Sequence, residues 1–364
     1  MEQKSTVRRQ VFIVIAISTL VRLALASILE LGNDEVYYWT YALYPDASHF
    51  DHPPMVGFLI QVSTLNLLLT NDLFLRLGPI VLAAFNTWII FLIGTKIKDE
   101  RAGLFASLLF TSSIYCSLIA GFAIIPDAPQ VFFWLLSLYL MLDFLPAPII
   151  TRDHRLQFIL FSICAGFAML SKYHSAFLWV GAIGYILLYN RKWLSEYSLY
   201  VSLVLSFIII TPIIYWNIKH DFISFTFHGN RVTTAFQLRP DYFLRELGGQ
   251  IAYNNPVNYV LIIIALIALL QKKIAINNSI RILLLTSLPL YTTFTGFSLF
   301  RSTLPHWTGP SFISLIIIAA IYWSTRLHSN ETFSIPKLIL LPSCFLATLL
   351  CAAVYVINYS PLQL

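Results

Sequence analysis

Long apolar runs separated by short polar breaks recur along the whole chain of 364 residues. A transmembrane helix needs roughly 17 to 25 mostly apolar residues. Runs near that size stand at approximately 11–29, 74–95, 102–122, 128–145, 157–171, 175–190, 198–217, 251–270, 282–298, 308–325 and 338–358. The pattern predicts an all-α polytopic membrane protein of about eleven transmembrane helices. Two of the runs, 157–171 and 175–190, are short and meet at "SKYHS", which suits tilted helices. No internal repeat is apparent.

Composition excludes the soluble classes. Hydrophobic residues make up 58% of the chain and charged ones 11%, too little polar surface to cover a globule in water. The net charge of +6 does not point to nucleic acid, because Lys and Arg fall in small clusters between apolar runs rather than along one face. Fifteen of the 23 lie in alternate loops, among them Arg8, Arg9, Lys96, Lys98, Arg101, Arg191 and Lys192. The positive-inside rule then places the N-terminus in the cytoplasm. The first run lacks an obvious cleavage site of small residues and reads as a retained helix, not a signal peptide. The four cysteines all lie in apolar runs without metal-ligand spacing and read as packing residues. A single integral-membrane domain over 1–364 is expected, with outer loops at about 30–73 and 218–250 and no separate soluble C-terminal domain.

The same topology gathers the remaining ionisable groups on the outer side. Asp34, Glu35, Asp46, His49, Asp51 and His52 share the first outer loop, followed by Asp127, then Lys172 with His174. The loop at 218–250 adds His228 and Arg231, and the segment near 300 adds Arg301 and His306. Six of the eight histidines fall on this side, whereas the inner loops hold only His154 and His328. That asymmetry predicts a polar chamber at the outer membrane surface. In "FDHPP" the two prolines stiffen the backbone that presents Asp51 and His52. "NDE" sets Asp34 and Glu35 beside the lipid headgroups, where an anionic pair is costly unless solvated, paired or used.

The ordered motifs "DEVYYWTYAL", "FDHPP", "PDAPQVFFW", "LSKYHSAFL", "WNIKHDFISFTFH", "LGGQ" and "LPHWTGPSF" resemble the bacterial branch of the dolichyl-phosphate-mannose protein mannosyltransferase superfamily. Its members include glycosyltransferase family 39 and the aminoarabinose transferases that act on lipid A. The resemblance runs from about residue 30 to 315 and implies a GT-C-type glycosyltransferase fold. It implies catalytic roles for Asp34, Glu35 and Asp127, with Asp34 as the base or the group that orients the acceptor. Asp51 and His228 are implied as ligands of a divalent metal such as Zn, Mn or Mg. His52 stands where aminoarabinose transferases carry a Lys that meets lipid phosphate, and Arg231 and Lys172 resemble further phosphate-binding positions.

Reaction chemistry supports the same set. A sugar on polyprenyl phosphate has a good leaving group, so the protein must stabilise phosphate charge, orient the acceptor and remove a proton. Lys172, Arg231, Arg301 and a divalent ion suit the first task and Asp34 the last. The expected function is transfer of a sugar from a polyprenyl-phosphate donor to an envelope acceptor on the outer face of the cytoplasmic (inner) membrane. Lipid A, another glycolipid or a polysaccharide is expected ahead of protein as acceptor; the other partners are membrane lipids, and nucleic acid is not one. The alternative is a transporter or flippase of lipid-linked sugars. Such proteins gather ionisable groups near the bilayer midplane on broken helices, often with pseudo-repeats. Here those groups fall at helix ends.

Overall fold

The computed structural model describes residues 2–232, 237–327 and 335–359, so His328 lies outside the described residues. Every regular element among the described residues is helical. The first half holds α1 (Glu2–Ile28), α2 (Asn33–Leu43), α3 (Met55–Ser63), α4 (Asp72–Ile97), α5 (Glu100–Ser112), α6 (Asp127–Phe144) and α7 (Arg152–Ser171). There follow α8 (Phe177–Tyr189), α9 (Tyr197–Lys219), α10 (Ile223–Val232), α11 (Pro240–Tyr253) and α12 (Pro256–Leu270). Three more, α13 (Asn278–Phe297), α14 (Gly309–Arg326) and α15 (Lys337–Tyr359), complete the described chain. Polar residues between the runs start several of them. The side chains of Asn71, Asp99, Thr151 and Asn277 each accept the N–H three residues on, capping α4, α5, α7 and α13.

Helices stand at each of the eleven expected positions, but not all are straight spans. Seven helices among the described residues are long and apolar enough to cross a bilayer by themselves, and α11 with α12, bent by 102°, is either a broken eighth span or a re-entrant loop. The bend falls inside the run 251–270. Asn255 there takes φ 67°, Pro256 cannot donate to the preceding turn, and the two together stop the helix. The break is fastened in place: Asn255 Nδ2 donates to the carbonyls of Ser112 and Pro342 at 3.0 and 2.9 Å. The run 102–122 is also divided, α5 giving way at Ser112 to a π-helical turn over Tyr115–Ile119. Arg22 of α1 supports that turn by donating to the Ser117 carbonyl at 3.0 Å.

The first outer loop is largely helical. Buried Glu35, Tyr38, Tyr41 and Ala42 recur at helical spacing on α2, and α2 packs with α3 over Val56, Ile60, Leu75 and Ile124. Elsewhere α5 and α14 are buried on nearly every side. By contrast α1, α9 and α15 turn large apolar side chains outward, with Leu20 65%, Phe207 59% and Leu341 50% exposed. Faces of that kind need hydrocarbon around them. The chain is a multi-pass membrane protein.

Candidate active site

The short α2 and α10, the start of α6, the turn after α7, the last turn of α13 and the segment before α14 come together. Between them is a cavity of about 710 Å³. Seven of the nine expected site residues line it: Asp34, Asp51, His52, Asp127, Lys172, His228 and Arg231. Apolar and aromatic side chains line it as well, among them Ile119, Phe177, Phe225, Phe294 and Trp307. The pocket therefore offers both charged groups and apolar surface.

Contacts between distant segments close the cavity. Trp216 Nε1 donates to Asp46 at 2.8 Å, Ser224 Oγ donates to the His49 carbonyl at 3.2 Å, and His228 Nε2 reaches the Asp51 carbonyl at 2.6 Å. These bonds bring α10 over "FDHPP". His228 Nε2 also lies 3.7 Å from Asp51 Oδ1, and Tyr38 OH donates to Asp51 Oδ2 at 3.3 Å. Asp51 Oδ1 is buried with no hydrogen-bond partner. A carboxylate oxygen left unsatisfied beside an imidazole fits a divalent cation, so Asp51 and His228 suit the metal expected there.

His52 does not suit its expected role. Burial, then the charges of Lys172 and His228, hold its imidazole well below the usual 6.5, with Asp127 pulling the other way. A neutral ring is no phosphate cation at neutral pH.

Asp127 and Lys172 form one buried unit. Lys172 Nζ lies 2.7 Å from Asp127 Oδ2, and Tyr115 OH donates to Oδ1 at 3.0 Å. With both oxygens engaged, Asp127 is placed to hold Lys172 rather than to accept a substrate proton. Gly309 makes room for this arrangement, since a Cβ there would fall 2.2 Å from Tyr115 Cζ. Gly249 of "LGGQ" likewise seats Pro305 against α11, where a Cβ would lie 2.1 Å from Pro305 Cγ. Its neighbour His306 lines the cavity.

Adjacent Asp34 and Glu35 have separate fates. Asp34 is exposed on α2, lines the cavity, and has no ion-pair partner among the described residues. Glu35, one residue on, faces the protein interior. It receives Arg76 Nε at 2.8 Å and Nη2 at 2.6 Å, and also the backbone N–H groups of Gly32 and Ile124. Arg76 in turn donates to the carbonyls of Leu29 and Glu30. Both oxygens of Glu35, expected to be catalytic, are thus taken, and the pair ties α1, α2 and α4 together.

Arg231 lines the cavity with its guanidinium 4.3 Å from the Phe227 ring. Arg301 does not reach it. It lines an adjoining cavity of about 320 Å³ with Arg231 and Arg239. Of the six outer-side histidines, His52, His174, His228 and His306 line the main cavity. His49 and His220 instead stack on Tyr41 and Trp216, at 3.7 and 3.9 Å between ring centroids. Sequence reasoning missed Tyr115 altogether. It sits in an apolar run, and only the π-helical turn aims its hydroxyl at Asp127.

The sequence model of the dolichyl-phosphate-mannose-protein mannosyltransferase family matches residues 51–216, a little under half the chain. This bears out the resemblance carried by the motifs. None of the curated proteins compared with the chain matches it. Among solved structures, the chain is similar to ArnT from Cupriavidus metallidurans in the apo state, with a TM-score of 0.69 and 17% identity. Against ArnT bound to undecaprenyl phosphate the TM-score is 0.72, again at 17% identity. The archaeal oligosaccharyltransferase AglB from Archaeoglobus fulgidus, in complex with an inhibitory peptide and a dolichol-phosphate, gives 0.52 at 13%. The matches cover 97%, 97% and 95% of this chain but only 65%, 66% and 54% of those chains. The fold is the GT-C-type fold expected from the sequence.

Proposed function

We propose that the protein is a glycosyltransferase that moves a sugar from a polyprenyl-phosphate donor to an acceptor of the cell envelope, on the outer face of the cytoplasmic membrane. The observation that carries this reading is the cavity lined both by the carboxylates of Asp34 and Asp51 with the cations of Lys172 and Arg231 and by aromatic side chains. An amphipathic donor needs both surfaces. Two proteins of the same fold support the donor class, one holding undecaprenyl phosphate and the other a dolichol-phosphate. The loop charge read from the sequence supports the side of the membrane.

In this mechanism the sugar–phosphate bond breaks as an acceptor hydroxyl attacks the anomeric carbon. Asp34 takes the hydroxyl proton, which its exposure on the cavity wall allows. Lys172 and Arg231 neutralise the phosphate that leaves with the polyprenyl chain. Asp127 keeps the Lys172 ammonium at a fixed point, so little reorganisation accompanies the charge change. A divalent ion held by Asp51 and His228 would add Lewis-acid stabilisation of the same phosphate. Attack from the face opposite the phosphate inverts the anomeric configuration. The acceptor is assigned to lipid A, another glycolipid or a polysaccharide, with protein second.

Mass spectrometry of envelope glycolipids and glycoproteins from cells with and without the protein tests the proposal. One sugar mass should vanish in its absence and should not return with Asp34→Asn. An unchanged envelope profile sinks it.

A further inference from the structure

The mechanism leaves His52 without a task. Its position is nevertheless closely specified. Its backbone N–H donates to Tyr41 OH at 3.3 Å, and Pro53 and Pro54 restrict the chain after it. Its ring stacks between those of Tyr38 and His228, each 5.8 Å away between centroids. Nε2 lies 3.8 Å from Asp51 Oδ2, and no hydrogen-bond partner meets the buried Nδ1. Asp51, His52 and His228 each offer a ligand atom, and the three atoms lie within 4.8 Å of one another. A carboxylate and two imidazoles thus converge, and Asp51 Oδ1 and His52 Nδ1 are buried without a hydrogen-bond partner, which is unfavourable unless something else occupies the point between them.

We propose that His52 is a third protein ligand, beside Asp51 and His228, of a divalent transition metal of the zinc type, and not a contact to donor phosphate. The inference rests on the reading of Asp51 and His228 as metal ligands. The donor set decides the class of ion. Two imidazole nitrogens with one carboxylate suit zinc and its neighbours, whereas Mg and Ca prefer all-oxygen sites. Three protein ligands leave a coordination position open. All three residues line the cavity, so that position is available to a phosphate oxygen of the donor. His228 Nε2 stands 2.6 Å from the Asp51 carbonyl oxygen, so loading a metal on that nitrogen displaces its proton. Lys172 and Arg231 would then meet the phosphate charge together with the Lewis acidity such an ion would supply.

The test uses the full-length protein in detergent, stripped with a chelator and titrated with Zn²⁺ and Co²⁺, with metal X-ray absorption to count imidazoles. Wild type should bind a single ion through two imidazoles and release a proton. His52→Ala should lower zinc affinity by more than about 100-fold, beyond the cost of losing an outer-shell partner, and leave one imidazole. His52→Lys supplies a permanent cation without a ligand and should show the same loss, while His52→Asp should recover part of the affinity. Thermal melts of each variant separate ligand loss from misfolding. If His52→Ala binds zinc as tightly as wild type while His228→Ala does not, the metal reading stands and His52 is removed from it. Wild type that binds neither ion overturns both.

Discussion

Lys172 Nζ lies 2.7 Å from Asp127 Oδ2, and both residues are all but sealed from water although Lys172 still lines the cavity. A buried pair of this kind contributes little net stability, yet removing one partner strands the other at a cost of about 3–5 kcal/mol. Asp127→Ala and Lys172→Met should each lower the melting temperature. The double variant Asp127→Leu with Lys172→Met should recover much of the melting temperature while transfer stays reduced by about 10²–10³-fold, the cost of losing a preorganised phosphate contact. Recovery of activity along with stability would make the pair purely structural.

Asp34 and Glu35 give opposite expectations from adjacent positions. Asp34 is exposed, so Asp34→Asn should leave the melting temperature unchanged and cut kcat by about 10²–10⁴-fold, with KM for donor little altered. Glu35→Gln breaks the paired contact to Arg76 and should destabilise by about 3–5 kcal/mol, while activity per folded molecule stays near wild type. Stability curves and donor kinetics on both variants decide the matter. A catalytic defect in folded Glu35→Gln would restore the role the sequence suggested.

The sequence made the helices legible because hydrocarbon imposes one rule on every span: apolar side chains outside and backbone bonds satisfied within. It also marked the chamber, since ionisable groups at helix ends have little other reason to cluster in so apolar a chain. It could not separate Asp34 from Glu35. Both belong to one acidic pair, and only the position of Arg76, 41 residues on, decides which carboxylate is engaged. Nor could it see the bend at Asn255 or the π-helical turn before Ile119. Each is held by contacts to residues on other helices, Ser112 and Pro342 for the bend and Arg22 for the turn. Tyr115 was hidden for the same reason, because its hydroxyl finds Asp127 only through that turn.

Gly309 offers a test of that hidden contact. A methyl group at this position would overlap the Tyr115 ring, so Gly309→Ala should push the ring off Asp127 and destabilise by about 1–3 kcal/mol through overpacking. Tyr115→Phe removes only the hydroxyl and should cost about 0.5–1.5 kcal/mol. Adding Tyr115→Leu to Gly309→Ala relieves the overlap and should raise the melting temperature again. If Gly309→Ala melts like wild type, the close approach of α14 to the π-helical turn is not as described.

The pH dependence of metal binding follows from the two imidazoles. Burial first of all lowers the affinity of both His52 and His228 for protons; the Asp51 carbonyl and carboxylate oppose this at His228, and Lys172 reinforces it at both. A histidine whose pKa is depressed stays neutral, and so remains a ligand, as pH falls through the ordinary value of 6.5. Cobalt affinity of the purified protein should therefore stay flat from about pH 8 down to 6.5 and weaken only below that range. Lys172→Met removes a neighbouring positive charge, which eases protonation of both rings. The onset of weakening should then move to higher pH. An affinity that already falls steeply between about pH 7.5 and 6.5 in wild type would mean that these rings titrate as exposed histidines do, and that the pocket does not hold them neutral.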